Sequence, residues 1–195
     1  MIEMTYDQQG VVNLTLPTNT HRHTGSHQIL IDLANKLQLL NQENSCTLLL
    51  ISHRGNDFNQ VLGLQPWYCS YASIHPVISA AVVDVILQLE SFPAPVILCI
   101  SGGCFGLAMV VAGYCDVVLA EVNTLFSLAN IGVLNSADDI SRYVYPLMRG
   151  GLNHYDLLSA HRAEILGIVG KLYDWDNRIP SIANCKATIL SGVYL

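Results

Sequence analysis

The stretch PAPVILCISGGCFGLAMVVAGYCDVVLA, residues 93–120, decides the fold. The stretch has one charged side chain, Asp116. It contains enough apolar residues for a membrane span, which needs about 20. Glycines at 102, 103, 106 and 113 interrupt the apolar run and favour turns. We therefore predict a buried strand at 96–100, a glycine turn, a buried helix at 106–113 and a second strand at 117–120.

The composition is typical of a globular protein with a large core. Of the 195 residues, 51% are hydrophobic and 12% are charged, and the mean hydropathy is +0.38. These values predict one domain over residues 1–195 and exclude a disordered chain, a collagen and a coiled coil. The net charge of −6, with nine Lys and Arg, argues against nucleic acid as a partner.

The sequence shows neither a targeting signal nor a metal-ligand pattern. The first ten residues, MIEMTYDQQG, lack a basic segment followed by an apolar one, so we expect a cytoplasmic protein with no membrane segment. The six cysteines lie in apolar surroundings without CxxC spacing. This pattern favours buried, reduced thiols and predicts no zinc or other metal site.

Outward from residues 93–120, strands and helices alternate. Residues 11–16, VVNLTL, are typical of a strand, and residues 46–52, CTLLLIS, of a short apolar strand. Leucines at helical spacing predict an amphipathic helix over 29–40. Further helices are predicted at 78–89, 152–158 and 163–169. The alternation predicts an α/β domain with crossover connections between parallel strands.

Four motifs in order along the chain carry a resemblance to a known family. ISHRGNDFNQVLGL at 51–64 resembles L-T-G-x-G-x-x-F-x-A-G-x-D-L, with Phe58 in register. PAPVILCISGGCFGLA at 93–108 resembles P-x-P-V-I-A-A-V-x-G-x-A-x-G-G-G, YCDVVLA at 114–120 resembles x-C-D-I-x-x-A, and LFS at 125–127 resembles A-x-F-x. Together they resemble the crotonase superfamily, which includes the enoyl-CoA hydratases and isomerases. The resemblance implies an α/β fold, a ββα superhelix, here truncated in its C-terminal helical part.

The resemblance also implies an oxyanion hole for an acyl thioester. Two backbone N–H groups would bind the carbonyl oxygen and stabilise the enolate that forms when the α-carbon loses a proton or CO₂. Carried over position by position, the donors are Gln60, after the second strand, and Leu107, at the start of the buried helix. Leu107 stands where the family prefers glycine. Val61, Leu62 and Gly106 adjoin these donors and would contact the substrate.

Two departures from the family disfavour hydration of an enoyl thioester. Hydratases place two carboxylates against one water molecule. By the resemblance these would fall at Val110 and near Asn130, and neither residue is acidic. Positions 62–63, usually acidic or Gly-Asp, are Leu62 and Gly63. We therefore expect a different reaction, with Val110 and Asn130 lining the substrate pocket.

One branch of the superfamily, the polyketide β-branching decarboxylases, is similar to this chain in three places. THRHTGS at 20–26 resembles its T-H-K-N-A-F-S, ANI at 129–131 resembles its A-N-F, and the branch carries an apolar residue where Val110 stands. Its members act on a glutaconyl group held on an acyl carrier protein. The Lys and Tyr that assist this reaction would fall near Leu64 and Tyr68, where this chain has no Lys.

Several polar residues are candidates for the remaining roles. His75 lies in the segment that lines the acyl pocket in the family, and it is either the proton donor or an exposed loop histidine. Arg22 and the adjacent His21 either contact the substrate, Arg22 at the phosphate of CoA or phosphopantetheine, or are solvated. Tyr68 either donates a hydrogen bond in the pocket or packs half-buried. No cofactor is expected beyond the CoA or phosphopantetheine that carries the substrate.

The sequence leaves two main functions open. The first is enolate chemistry on an acyl thioester bound to CoA or a carrier protein, with decarboxylation favoured. The second is a catalytically degenerate crotonase-like protein that serves as a binding or scaffold partner. A serine peptidase of the related Clp protease fold is disfavoured because the nucleophile position, near Phe105, holds no serine. Crotonases form trimers or hexamers, so the resemblance implies a homo-oligomer, a trimer.

Overall fold

The computed structural model describes residues 1–18, 27–43, 45–64, 76–128 and 157–192. Strands within these ranges form a six-stranded sheet of order β1-β2-β3-β4-β6-β9 and a three-stranded sheet of order β5-β7-β8. The strands are β1 Glu3–Tyr6, β2 Val11–Leu16, β3 Leu48–His53, β4 Val96–Ile100, β5 Gly103–Phe105, β6 Val117–Glu121, β7 Leu125–Ser127, β8 Leu158–Ser159 and β9 Lys171–Tyr173.

Parallel pairing dominates the six-stranded sheet. Strand β1 is antiparallel to β2, while β2, β3, β4, β6 and β9 all run parallel. The register sets Ile51 beside Leu98 and Leu98 beside Val118. Apolar runs such as β3 and β4 suit a parallel sheet, which is covered on both faces. Because parallel strands end at the same edge, the segments that follow β3 and β4 lie close together.

Helices pack on both faces of this sheet. They are α1 Gln28–Glu43, α2 Phe58–Val61, α3 Pro76–Glu90, α4 Leu107–Ala112, α5 Ala160–Ile165 and α6 Arg178–Leu190, with a 3-10 turn at Trp175–Asn177. The main core joins α1, α3 and α4 to one sheet face, and the leucines of α1 that have helical spacing are all buried in it. On the other face, Cys185 of α6 packs against Leu50 and Cys99.

Most predicted elements are confirmed. Strands 11–16 and 96–100 match residue for residue, and the predicted helices 29–40 and 78–89 lie inside α1 and α3. The helix predicted at 163–169 is confirmed only in part, because α5 spans Ala160–Ile165 and Gly167 follows in a left-handed turn. Of the helix predicted at 152–158, residue 158 lies in β8, and 152–156 fall outside the described residues. Across the described residues, every helix is too short or too polar to cross a membrane.

The turn between β4 and β5 depends on two adjacent glycines. Gly102 has φ of +75°, and a Cβ placed there would lie 2.1 Å from the carbonyl oxygen of Asn56. A Cβ on Gly103 would lie 2.6 Å from the Phe105 ring and 2.9 Å from Oδ2 of Asp57. The missing side chains therefore allow the segment after β3 to lie directly against this turn.

We expect Gly102→Ala to destabilise the fold far more than Gly167→Ala. Both glycines have positive φ, so each alanine costs about 1–2 kcal/mol of backbone strain. Gly167 has nothing within 4 Å of a new Cβ, whereas the alanine at 102 must also displace the Asn56 backbone, a further cost of about 1–3 kcal/mol. Urea unfolding of both variants measures the difference, and equal midpoints would contradict the close approach.

Candidate active site

The segment after β3 begins with a capped helical turn. Asp57 is the N-cap of α2, with extended backbone, and its Oδ1 accepts the Gln60 N–H at 3.0 Å. An aspartate three residues before the amide that it binds is a standard N-cap arrangement. Its second oxygen, Oδ2, accepts the Gly103 N–H at 3.2 Å. One carboxylate therefore caps α2 and also ties it to β5.

Asn59 makes a second and tighter connection between α2 and β5. Its Oδ1 accepts the Phe105 N–H at 2.7 Å, and its Nδ2 donates to the Phe105 carbonyl at 3.0 Å. Asn59 is 1% exposed, so water does not compete for these bonds. A third bond, from the Phe58 N–H to the Ser101 carbonyl at 3.1 Å, joins α2 to the preceding turn.

Helix α4 starts with two buried residues whose N–H groups have no acceptor in the described part of the chain. Gly106, with φ of +56°, is its N-cap and supplies no capping side chain, while the Gly106 N–H donates to Ser127 at 2.8 Å. The N–H groups of Leu107 and Ala108 find no acceptor among the residues that the structure describes. Leu107 is 3% exposed and Ala108 is fully buried. Since buried backbone donors are almost always paired, these two N–H groups form a candidate binding point for an oxygen atom.

The two predicted oxyanion donors differ in this structure. The Leu107 N–H has no acceptor among the described residues, as an oxyanion donor requires, but the Gln60 N–H already binds Asp57. A thioester oxygen would reach Gln60 only by displacing that carboxylate. The neighbouring Val61 and Leu62 N–H groups donate to the carbonyls of Asp57 and Phe58, so they offer no substitute.

The other predicted site residues fall into two groups. Val61, Leu62 and Val110 are buried in the main apolar core, and Gly106 lies directly before the unpaired amides. The second group lies outside the described residues and comprises His21, Arg22, Tyr68, His75 and Asn130. Among the residues that are described, no three His, Cys, Asp or Glu side chains are grouped so that they would hold a metal ion.

His53 is a buried polar residue at the end of β3 that sequence reasoning did not single out. Its Nε2 accepts the Ser101 N–H at 3.1 Å, and its ring lies 5.6 Å from that of Phe58. Burial, and then the nearby Arg178 guanidinium, lower the pKa of His53 from 6.5 to about 4. The imidazole is therefore neutral at pH 7, as an acceptor at Nε2 must be. The sequence signal that could have identified His53 is a polar residue at the end of an apolar strand.

The described cysteines are free thiols and unsuited to nucleophilic catalysis. Cys104, in β5, is fully buried, and burial raises the pKa of its thiol well above the usual range. Burial likewise raises the pKa of Cys99 to about 12. Since the thiolate is the nucleophilic form, these side chains act as core packing.

We expect His53 to make the protein less stable as the pH falls from 6.5 to 4. In this window the unfolded chain protonates His53 and the folded chain does not, so the unfolded state binds more protons. The free energy of unfolding should therefore rise with pH across the window, by up to about 3 kcal/mol from this residue. Urea unfolding at several pH values measures the slope.

The matched variant for that measurement is His53→Gln, because the glutamine amide oxygen can accept the Ser101 N–H without titrating. Its unfolding free energy should depend less on pH between 6.5 and 4 than that of the parent protein. Equal slopes in the two proteins would show that His53 titrates normally in the folded state.

Comparison with solved structures identifies the fold. An enoyl-CoA hydratase from Mycobacterium smegmatis superposes with a TM-score of 0.74 at 20% identity, over 96% of this chain and 76% of that one. An enoyl-CoA hydratase from Mycobacterium avium subsp. paratuberculosis gives 0.75 at 19% identity, over 97% and 78%. DspI from Pseudomonas aeruginosa gives 0.74 at 16% identity, over 97% and 74%. The chain therefore has the crotonase fold, and the predicted α/β fold class is confirmed. No protein-family model and no curated protein sequence matches it.

Proposed function

We propose that this protein binds an acyl thioester, carried on CoA or on an acyl carrier protein, and stabilises its enolate. The observation that carries the proposal is the pair of N–H groups of the buried residues Leu107 and Ala108, which have no acceptor among the described residues. Enolate chemistry needs two donors directed at one oxygen, and these two adjacent amides are our candidates for that pair. The crotonase fold supports the proposal, because the resemblance assigns an oxyanion donor to position 107.

The reaction that we propose is decarboxylation of a glutaconyl-type thioester, as in polyketide β-branching. The bond to the departing carboxylate breaks, its electron pair moves along the conjugated chain to the thioester oxygen, CO₂ leaves, and carbon then takes up a proton. The negative charge collects on one oxygen, so backbone donors assist the step without a protein carboxylate. Val110, where a hydratase would carry an acid, agrees with such a reaction. His75 is our candidate for the proton donor.

A second candidate function is that of a catalytically inactive binding partner. The observation that favours it is the bond between the Asp57 carboxylate and the Gln60 N–H, which fills one of the two predicted oxyanion positions. A protein of this kind would bind an acyl carrier protein or thioester without turnover.

We expect Leu107→Pro to lower the rate by about 10²–10³-fold, the usual loss for one oxyanion donor. Proline removes the N–H at position 107, and it is tolerated at the first position of a helix, where no helical bond is lost. The matched control is Leu107→Ala, which removes the same side chain but keeps the N–H. Steady-state kinetics should separate the two variants, and equal activity in both would rule out Leu107 as a donor.

We expect the folded protein to remove CO₂ from 3-methylglutaconyl carrier protein. Intact-protein mass spectrometry would follow the carrier, whose mass should fall by that of CO₂ in the presence of the enzyme. The matched sample is the Leu107→Pro variant at the same concentration. If the folded parent protein binds the acylated carrier and leaves its mass unchanged, the binding-partner function is favoured instead.

A further inference from the structure

We propose that Asn59 is a positioning residue that holds the start of α4, and so the Leu107 and Ala108 N–H groups, in place for the thioester oxygen. The proposal rests on the proposed function. In this role Asn59 does not contact the substrate. Its action runs through Phe105, two residues before Leu107 in the chain.

The first argument is the position of β5 at the edge of its sheet. Strand β5 pairs with β7 on one side, where the Leu125 N–H donates to the Gly102 carbonyl and the Gly106 N–H to the Ser127 carbonyl. Successive residues of a strand point their N–H and C=O groups to opposite sides. Phe105 therefore faces away from β7, and an edge strand leaves such groups unpaired.

Asn59 supplies both of the missing partners. Its amide accepts the Phe105 N–H at 2.7 Å and donates to the Phe105 carbonyl at 3.0 Å, as a neighbouring strand would. Asp57, two residues earlier, binds the other outward residue, Gly103, but can only accept. The planar amide of Asn59 with two bonds therefore fixes both the distance and the rotation of Phe105.

The second argument is the short path from this contact to the candidate donors. Only Gly106 separates Phe105 from Leu107, and its own N–H is fixed by Ser127. Phe105 is thus held by Asn59 on one side while the next amide is held by β7 on the other. Removing the Asn59 side chain removes one of the two restraints. The backbone can then rotate at Gly106, because a glycine with φ of +56° is conformationally permissive.

The test uses Asn59→Ala, which removes both bonds, and Asn59→Asp, which keeps the shape and the acceptor but cannot donate to the Phe105 carbonyl when ionised. The matched control is Asn41→Ala. Asn41 is half-buried, and its Nδ2 donates to the Gln88 carbonyl at 3.2 Å and to the Gln88 side chain at 3.0 Å, between α1 and α3. The Asn41→Ala variant therefore loses comparable hydrogen bonds in another part of the fold.

We expect both Asn59 variants to lower kcat by about 10–100-fold per folded molecule, as a small misplacement of catalytic groups does. KM for 3-methylglutaconyl carrier protein should change little, because the misplaced donors act mainly in the transition state. Amide hydrogen exchange should also accelerate, beyond the change in global stability, at Gly106 and Met109, whose N–H groups bond to the Ser127 and Gly106 carbonyls at the start of α4. Asn41→Ala should leave kcat per folded molecule and the exchange at these two amides unchanged after the same correction.

The two readouts separate the positioning role from the proposed function. If the parent protein has no turnover, the proposed function fails, and hydrogen exchange at Gly106 and Met109 alone decides the role of Asn59. If those amides exchange in Asn59→Ala as they do in Asn41→Ala, the positioning role is overturned. A fall in kcat that is equal in the Asn59 and Asn41 variants would overturn it as well.

Discussion

The unpaired edge of β5 is the constraint on which the candidate site depends. An edge strand leaves its outward N–H and C=O groups unpaired, and here two side chains of one short segment bind three of these groups. Asp57 binds Gly103 and Asn59 binds Phe105. Gly103 and Phe105 are two residues apart, which is the period of an extended strand, and Asp57 and Asn59 have the same spacing. Polar bonds at an edge, in addition to apolar packing, therefore fix α2 against the start of α4.

This contact explains residues that have no chemical role in the proposed reaction. The close approach of the Asn56 carbonyl to Gly102 leaves no space for a side chain. His53 must stay neutral, because its Nε2 accepts the Ser101 N–H in the turn that α2 also binds through Phe58. A protonated ring would carry a hydrogen at Nε2, so that two donors, this group and the Ser101 N–H, would face each other.

The sequence predicted the elements whose signal is local and missed the contacts between them. The apolar runs at 11–16 and 96–100 and the leucine spacing of α1 are local patterns, and the structure has those elements. Strand β5 is three residues long, and its pairing depends on partners distant in sequence, so periodicity could not reveal it. Asp57 and Asn59 likewise have the composition of an ordinary loop. Only the fold shows which strand edge they bind.

The hydrogen bond from the Gln60 N–H to Asp57 limits which donors can bind an oxygen atom at the candidate site. An ionised carboxylate is a stronger acceptor than a neutral carbonyl, since charged hydrogen bonds are roughly twice as strong. A ground-state thioester oxygen is therefore a weaker acceptor for the Gln60 N–H than the carboxylate that already binds it. Within the described residues, the α4 amides of Leu107 and Ala108 are the candidate donors for which no acceptor competes. An enolate oxygen carries charge and binds these same donors more strongly than the carbonyl does, which is the difference that accelerates a reaction. Among the described residues, the start of α4 therefore offers the open donors for an enolate oxygen.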